Sequence, residues 1–173
     1  SCSATANSTV TVIPNPIISV NSGSICSGSL LTLTANGATN YSWSPTTDLS
    51  SATGSVVVAN ANSTTIYSVL GANGSCTAIV TSTVDVTTTP TLSVNSGAIC
   101  SGNSLTLTAN GATNYTWSPT IDLSSSTGSL VVANPSSTII YSVLGANGSC
   151  SATANSTVTV IPNPIISVNS GSI

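Results

Sequence analysis

The sequence predicts an all-β protein built from tandem small β-sandwiches, one for each sequence repeat, in a linear array. The first observation is internal repetition: residues 26–99 and 100–173 are identical at 54 of 74 positions without a gap. The second is that short stretches rich in Val, Ile, Thr and Leu alternate with Gly, Asn and Pro, a pattern typical of strands joined by turns. The third is that Ala and Leu, the good helix formers present, do not recur at helical spacing.

Six strands are predicted within one repeat, and turn residues separate them. In the second strand Leu31, Leu33 and Ala35 share one face, and in the third Tyr41 and Trp43 do so, because successive side chains of a strand point to opposite faces. About six or seven short strands with turn signals every 8–12 residues are typical of a sandwich. The predicted strands are 16–21, 30–35, 41–44, 55–59, 65–70 and 76–86.

Prolines mark the predicted domain boundaries. We interpret residues 16–89 and 90–163 as two whole domains, 1–15 as the last strand of a preceding repeat, and 164–173 as the first strand of a following one. No Gly/Ser linker separates the repeats, and Pro favours extended spacing, so we expect a stiff array. Because residues 1–25 and 149–173 are the same string, we expect the chain to belong to a longer tandem polypeptide; a cloned fragment with arbitrary ends is the alternative.

The composition excludes several classes of function. The chain has no Lys, Arg or His, and its charged side chains are Asp48, Asp85 and Asp122. Electrostatic binding to nucleic acid or anionic lipid therefore has no source. Acid–base catalysis would rest on three isolated aspartates, so we predict no enzyme activity, no catalytic residue and no cofactor. No run of about 18 apolar residues is present, so we predict no membrane insertion.

The five cysteines recur with the repeat, at Cys2, Cys26, Cys76, Cys100 and Cys150. We predict structural disulfides, because a domain this small usually needs a covalent staple. The favoured pairing is Cys26–Cys76 with Cys100–Cys150, which leaves Cys2 to pair with a cysteine outside the sequence. The pairing Cys2–Cys26 with Cys76–Cys100, which would tie consecutive domains together, stays open, as do free thiols. Disulfides indicate an oxidising compartment.

Each repeat carries one Trp and two Tyr, and it lacks Phe to fill a core. We predict that these rings are core residues, and the alternative is a sugar-stacking platform. The rings are Tyr41, Trp43 and Tyr67 in one repeat, and Tyr115, Trp117 and Tyr141 in the next.

Asp48 and Asp122 occupy equivalent positions in the two repeats. Calcium requires six to eight oxygen ligands, so one Asp per repeat is better explained by a role in a turn. No His or second nearby Cys completes a four-ligand metal site either. We therefore predict no metal.

Several elements of each repeat together resemble the Ig-like (PKD-like) tandem repeats of giant secreted surface proteins of Bacteroidota. They are Cys26, the run Tyr41-Ser42-Trp43-Ser44-Pro45, Asp48-Leu49-Ser50, Thr65-Ile66-Tyr67 and Cys76. The resemblance covers the whole chain. It implies an immunoglobulin-like fold, a bacterial cell-surface or extracellular location, and a role as an adhesin stalk or extracellular fibre exported by the type IX system.

We therefore expect a non-catalytic structural fibre or stalk whose partners are copies of itself, joined head to tail and bundled laterally. Near-zero charge removes the repulsion that keeps proteins apart. The alternative is an adhesin module that binds glycan, or less favourably ice, through Thr/Asn or aromatic faces. Strand exchange between subunits, in place of one continuous polypeptide, also stays open.

Overall fold

The computed structural model describes residues 2–168, in which every regular element is a β-strand. The chain divides into two compact units, Ser1–Thr87 and Thr88–Ile173. Each unit contains seven strands in the same order. Unit 1 has β1 (Ser19–Val20), β2 (Gly23–Cys26), β3 (Leu31–Asn36), β4 (Asn40–Ser44), β5 (Val56–Ala59), β6 (Thr65–Asn73) and β7 (Cys76–Thr87). Unit 2 has β8 (Ser93–Val94), β9 (Gly97–Cys100), β10 (Leu105–Asn110), β11 (Asn114–Ser118), β12 (Leu130–Ala133), β13 (Ile139–Asn147) and β14 (Cys150–Ile161).

Two sheets form the sandwich of each unit. In unit 1 the first sheet has the order β1-β3-β5 and the second has the order β2-β7-β6-β4. All pairings are antiparallel except that of β2 with β7, which is parallel. Unit 2 repeats this topology as β8-β10-β12 and β9-β14-β13-β11. The predicted all-β tandem sandwich is confirmed.

The first predicted strand, 16–21, is corrected by the structure: the chain instead forms β1 on one sheet and β2 on the other. It changes sheets at Asn21 and Ser22, where side chains replace ladder hydrogen bonds. The Asn21 amide donates to the Thr32 carbonyl at 2.9 Å and accepts from the Thr34 N–H at 2.6 Å. The buried Ser82 hydroxyl donates to the Asn21 carbonyl at 2.6 Å. These bonds satisfy the Thr32 and Asn21 carbonyls and the Thr34 N–H at the crossing.

The core of each unit lies between its two sheets. In β3 Leu33 and Ala35 are buried, while Thr32 on the other face is exposed, so the predicted alternation is present. Each fully buried aliphatic side chain contributes about 1.5–3 kcal/mol to folding. The buried residues of unit 1 are Leu33, Ala35, Tyr41, Trp43, Val57, Ala59, Ala61, Tyr67, Val69 and Val84.

The terminal segments differ from the prediction of lone strands. Residues 2–18 contain no strand, and neither do 162–168. A strand needs a hydrogen-bonded neighbour, and none of the strands in the described part of the chain pairs with either segment. The predicted strand at 164–173 lies partly outside the described residues, because these end at 168.

Candidate functional site

The ionisable side chains of the described residues lie apart from one another. Within residues 2–168, no three His, Cys, Asp or Glu side chains lie close enough together to hold a metal ion. Nor does this part of the chain contain a helix of the length and apolarity that crossing a bilayer requires. The candidates for function are therefore the aromatic rings, a recurring surface cavity and the cysteines.

Asp48 and Asp122 serve the turns through their backbone. Both adopt left-handed conformations, with φ of 62° and 59°, which Asp tolerates better than most residues. The Asp48 carbonyl accepts a hydrogen bond from the Asn60 N–H at 2.8 Å, and the Asp122 carbonyl accepts one from the Asn134 N–H at 2.9 Å. This places each Asp at the turn that joins the loop after Pro45 or Pro119 to the following strands.

The rings of Tyr41 and Trp43 point from β4 into the core, where 8% and 3% of their surface stays exposed. The Trp43 indole donates to the Gly54 carbonyl at 2.9 Å. The Tyr41 hydroxyl donates to the Ala38 carbonyl at 2.9 Å and accepts from the Ala38 N–H at 2.7 Å. Tyr115 and Trp117 are buried in unit 2 with the equivalent bonds, to Ala112 and Gly128. Each polar ring atom therefore has a partner inside its own unit.

Tyr67 and Tyr141 are completely buried. The Tyr67 hydroxyl donates to the Thr47 carbonyl at 3.1 Å, and that of Tyr141 donates to the Ile121 carbonyl at 3.0 Å. Burial raises the pKa of both phenols above the ordinary 10.0 because it disfavours the phenolate, and the carboxylates of Asp48 and Asp122 raise them further by repulsion. None of the six rings is presented to solvent as a flat surface for sugar stacking.

A surface cavity recurs at the same place in both units. It measures about 610 Å³ in unit 1, where residues 35–41 and 53–55 line it. In unit 2 it measures about 580 Å³. Asn36, Thr39 and Asn40 supply polar groups to the wall, and Tyr41 is its one aromatic residue. Such a wall can hydrogen-bond a small polar ligand but offers no exposed ring for it to stack on.

The two cysteines of each repeat lie at opposite ends of their unit. Cys26 pairs in register with Thr87, the last residue of β7, whereas Cys76 is the first residue of β7. Because β2 runs parallel to β7, eleven residues at about 3.3 Å each separate the two positions, roughly 36 Å. A disulfide requires α-carbons within about 7 Å. Cys100 and Cys150 are separated in the same way, since Cys100 pairs with Ile161 and β14 begins at Cys150.

The predicted pairings Cys26–Cys76 and Cys100–Cys150 are therefore wrong for this structure. Cys26 and Cys150 are disulfide-bonded, while Cys2, Cys76 and Cys100 are free thiols. The six strands predicted from the sequence did not include β2 or β9, which carry Cys26 and Cys100. The sequence pattern of those strands is weak, because each has four residues and only one inward side chain, Ile25 in β2 and Ile99 in β9.

Comparisons with known proteins bear on the fold. No protein-family profile matches the chain, and no curated protein sequence matches it. Among solved structures, domains 3–5 of the extracellular part of Drosophila OTK superpose with a TM-score of 0.56 at 14% identity, over 86% of this chain and 61% of that one. The fold is immunoglobulin-like.

Two further structures support the Ig-like assignment. The I-band fragment I67–I69 of titin gives a TM-score of 0.54 at 13% identity, over 87% of this chain and 67% of the fragment. The insect immune protein hemolin gives 0.50 at 15% identity, over 84% of this chain and 47% of hemolin. The chain thus spans less than two thirds of the OTK fragment and about half of hemolin, and at these identities the likeness concerns the Ig-like fold alone.

Proposed function

We propose that this chain is part of a structural extracellular fibre or stalk built from tandem Ig-like repeats, non-catalytic and self-associating. The observation that carries the proposal is the close equivalence of the ring hydrogen bonds in the two units. In each repeat the indole N–H donates to the carbonyl of the equivalent glycine, Gly54 or Gly128, at 2.9 Å. One of the positions at which residues 26–99 differ from residues 100–173 is fully buried. It holds Ala61 in unit 1 and Pro135 in unit 2. Among the described residues, the divergence between the repeats thus lies almost entirely outside the fully buried core.

The separation of the ionisable groups within residues 2–168 supports a passive role. Unit 1 carries Asp48 and Asp85, and unit 2 carries a single aspartate, Asp122; Asp48 and Asp122 act through backbone conformation. General acid–base catalysis needs a proton donor or acceptor placed within hydrogen-bond reach of a reacting group. Buried, internally bonded rings likewise favour a mechanical unit over a stacking platform.

The outer face of the second sheet supports self-association. Leu70 and Ile79 face each other across β6 and β7 and are exposed, and Ile66 on the same face is 60% exposed. Unit 2 exposes Ile140 and Leu144 at the corresponding places. With a net charge of only −3, little repulsion opposes lateral contact. We propose that this mixed apolar and hydroxyl face, defined in unit 1 by Ile66, Leu70 and Ile79, is the lateral contact surface.

An extracellular location is part of the proposal. Disulfide-bonded cysteines persist in oxidising compartments. The OTK domains are extracellular, and the hemolin domain arrangement has implications for homophilic adhesion. A chain without Lys or Arg also offers trypsin-like proteases no cleavage site. The resemblance to repeats of secreted Bacteroidota surface proteins supports a bacterial cell-surface origin.

The test is assembly of the purified chain. We expect sedimentation velocity to show association that rises with concentration, and electron microscopy to show fibres. Leu70→Asp with Ile79→Asp should lower the associated fraction at least tenfold, whereas the matched control Thr81→Asp, on the same outer face, should lower it much less. A chain that stays monomeric at high concentration would contradict the proposal. For material isolated from its source, reducing SDS electrophoresis should give very long polypeptides, whereas strand exchange between subunits would release short chains the size of this one.

Glycan binding is the second candidate, and the recurring cavity is the observation that favours it. Its polar wall includes Asn36, Thr39 and Asn40. A glycan array should then give a saturable signal that falls at least tenfold in Thr39→Val with the matching Thr113→Val. Exposed Ser42→Ala, outside the cavity, is the control. An equal glycan signal from the Thr39→Val/Thr113→Val chain and from the Ser42→Ala chain would count against glycan binding.

A further inference from the structure

Each unit contains two Asn-Gly pairs at turns near one end of its sandwich. In unit 1 they are Asn36-Gly37, where β3 ends, and Asn73-Gly74, where β6 ends. Unit 2 repeats them as Asn110-Gly111 and Asn147-Gly148. An asparagine before glycine is prone to lose its side-chain amide, because glycine has no side chain to shield its backbone nitrogen. The structure distinguishes the two pairs of each unit.

The first pair is open to reaction. Asn36 is exposed and lies on the wall of the surface cavity. Within residues 2–168, its carboxamide has no hydrogen-bond partner, and neither has the Gly37 N–H. The backbone nitrogen that would attack and the side-chain carbon that it would reach are therefore both unengaged. Asn110 and Gly111 have the same surroundings in unit 2.

The second pair is held by hydrogen bonds. The Asn73 Oδ1 accepts the Thr39 N–H at 2.8 Å, and the Thr39 hydroxyl donates to the adjacent Ala72 carbonyl at 2.8 Å. In unit 2 the Asn147 Oδ1 accepts the Thr113 N–H at 2.9 Å. Both asparagines are half-buried. Turning either carboxamide toward the following glycine nitrogen would break its bond, so the reaction there requires an additional step.

We propose that Asn36 and Asn110 are modification sites, at which the folded chain deamidates without an enzyme, and that Asn73 and Asn147 are protected. The Gly37 nitrogen attacks the Cγ carbon of Asn36, a C–N bond forms, and the nitrogen's proton leaves with the amide group as ammonia. Water then opens the resulting succinimide at either carbonyl and leaves aspartate or isoaspartate. Water is the co-reactant, and nothing is oxidised or reduced. The proposal concerns each unit by itself and does not depend on the proposed fibre.

The modification changes the charge and the backbone at one place in each unit. It puts a carboxylate on the wall of the cavity, which Asn36 lines in unit 1 and Asn110 lines in unit 2. Reaction at both sites adds two negative charges to a chain whose net charge is −3. Isoaspartate also lengthens the backbone by one carbon at residue 36, which pairs with Ser19 of β1. The charge of a chain therefore records its age.

Incubation of the whole chain at mildly alkaline pH in heavy-oxygen water tests the proposal, because each hydrolysis incorporates one heavy atom. After reduction, chymotrypsin cleavage gives peptides 34–41 and 108–115, which carry the open asparagines, and 71–92 and 145–173, which carry the protected ones. Fragment spectra locate the label. In the folded chain, Asn73 and Asn147 should react about two- to tenfold more slowly than Asn36 and Asn110, the range that corresponds to one hydrogen bond. In the chain unfolded by urea, all four sites should react at similar rates.

Substitutions assign the label to individual residues. Peptide 34–41 of the Asn36→Gln chain should take up almost no label, because glutamine must close a larger ring, while 108–115 of the same chain keeps its label. Asn40→Gln is the matched control, since Asn40 lies in the same peptide but does not precede glycine; it should leave the labelling of Asn36 unchanged. Equal rates at the four sites of the folded chain, or faster reaction at Asn73 and Asn147, would overturn the proposal. A folded chain that takes up no label while the unfolded chain does would overturn it as well.

Discussion

Trp43 and Gly54 are joined by a hydrogen bond of 2.9 Å from the indole nitrogen to the carbonyl oxygen, and Trp117 and Gly128 repeat it at the same length. The bond ties β4 to the loop ahead of β5, at the edge of the core. Since the indole is 3% exposed in unit 1 and 1% in unit 2, water cannot easily replace either partner. The bond therefore fixes the loop as well as the ring.

Trp43→Phe should lower the free energy of unfolding of unit 1 by about 2–3 kcal/mol. The change removes the indole N–H, leaves the Gly54 carbonyl unpaired, and opens a small cavity. Urea unfolding followed by circular dichroism measures the loss. The remaining Trp117 fluorescence reports unit 2 and should shift less. The reciprocal Trp117→Phe should destabilise unit 2 instead, with the remaining Trp43 fluorescence of unit 1 shifting less than the circular dichroism signal. Equal shifts of both probes in either variant would argue against a local role.

The buried tyrosines make the fold sensitive to alkali. The pKa of Tyr67 and of Tyr141 lies above 10.0 in the folded chain, so the folded state holds these protons more tightly than the unfolded state. Their contribution to stability is then complete below pH 10 and is lost as the pH rises from there through the folded pKa. We expect the urea midpoint to fall steeply above pH 10.

Tyr67→Phe combined with Tyr141→Phe checks this assignment. The double variant should lose about 1 kcal/mol per unit at pH 7, because the hydrogen bonds to Thr47 and Ile121 are gone. Above pH 10 its stability should fall less steeply than that of the parent chain. Tyrosinate absorbance should show two fewer late-titrating groups. A parallel decline in both proteins would show that other groups govern alkaline unfolding.

The sheet-crossing at Asn21 depends on one buried hydroxyl. Ser82 is fully buried and donates to the Asn21 carbonyl at 2.6 Å. Ser82→Ala should cost about 1–3 kcal/mol because it removes a hydrogen bond made by a fully buried hydroxyl and leaves the Asn21 carbonyl without that partner. Exposed Ser42→Ala on β4 is the matched control and should change stability by less than about 0.5 kcal/mol. Equal effects in chemical denaturation would mean that the hydroxyl does not hold the crossing.

The longer strands follow directly from side-chain alternation. In β3 and β4 the inward residues Leu33, Ala35, Tyr41 and Trp43 alternate with Thr, Ser or Asn, and a strand with one buried face requires that pattern. The predicted limits of these strands differ from the observed ones by a residue. Local sequence was enough here because each strand carries at least two inward side chains.

The crossing and the cysteines could not be predicted in this way. β2 has four residues and one inward side chain, Ile25, so no periodicity identifies it. The parallel pairing of β2 with β7 joins residues that lie far apart in the sequence. This pairing determines at which end of the unit Cys26 lies. The separation of Cys26 from Cys76 along the sequence is compatible with either end. The pairing of the cysteines therefore depends on the strand topology, which the local sequence does not reveal.

Gly37 lies at the end of unit 1 that carries the β6–β7 hairpin, and its position is tightly constrained. Its φ is +98°, and a side-chain carbon added there would overlap the Ile17 carbonyl oxygen, which belongs to the backbone and cannot rotate away. Gly37→Ala should therefore cost about 3 kcal/mol or more, since left-handed strain and a steric clash combine.

Gly28 provides the matched control for this prediction. It has a similar φ of +82°, but nothing lies within 4 Å of an added carbon. Gly28→Ala should therefore cost only the left-handed strain, about 1–2 kcal/mol. The difference between the two variants in thermal or urea unfolding measures the close approach of residues 17 and 37. Equal losses would mean that the segment before β1 can move away from the turn, and that this end of unit 1 is held by fewer contacts than the structure describes.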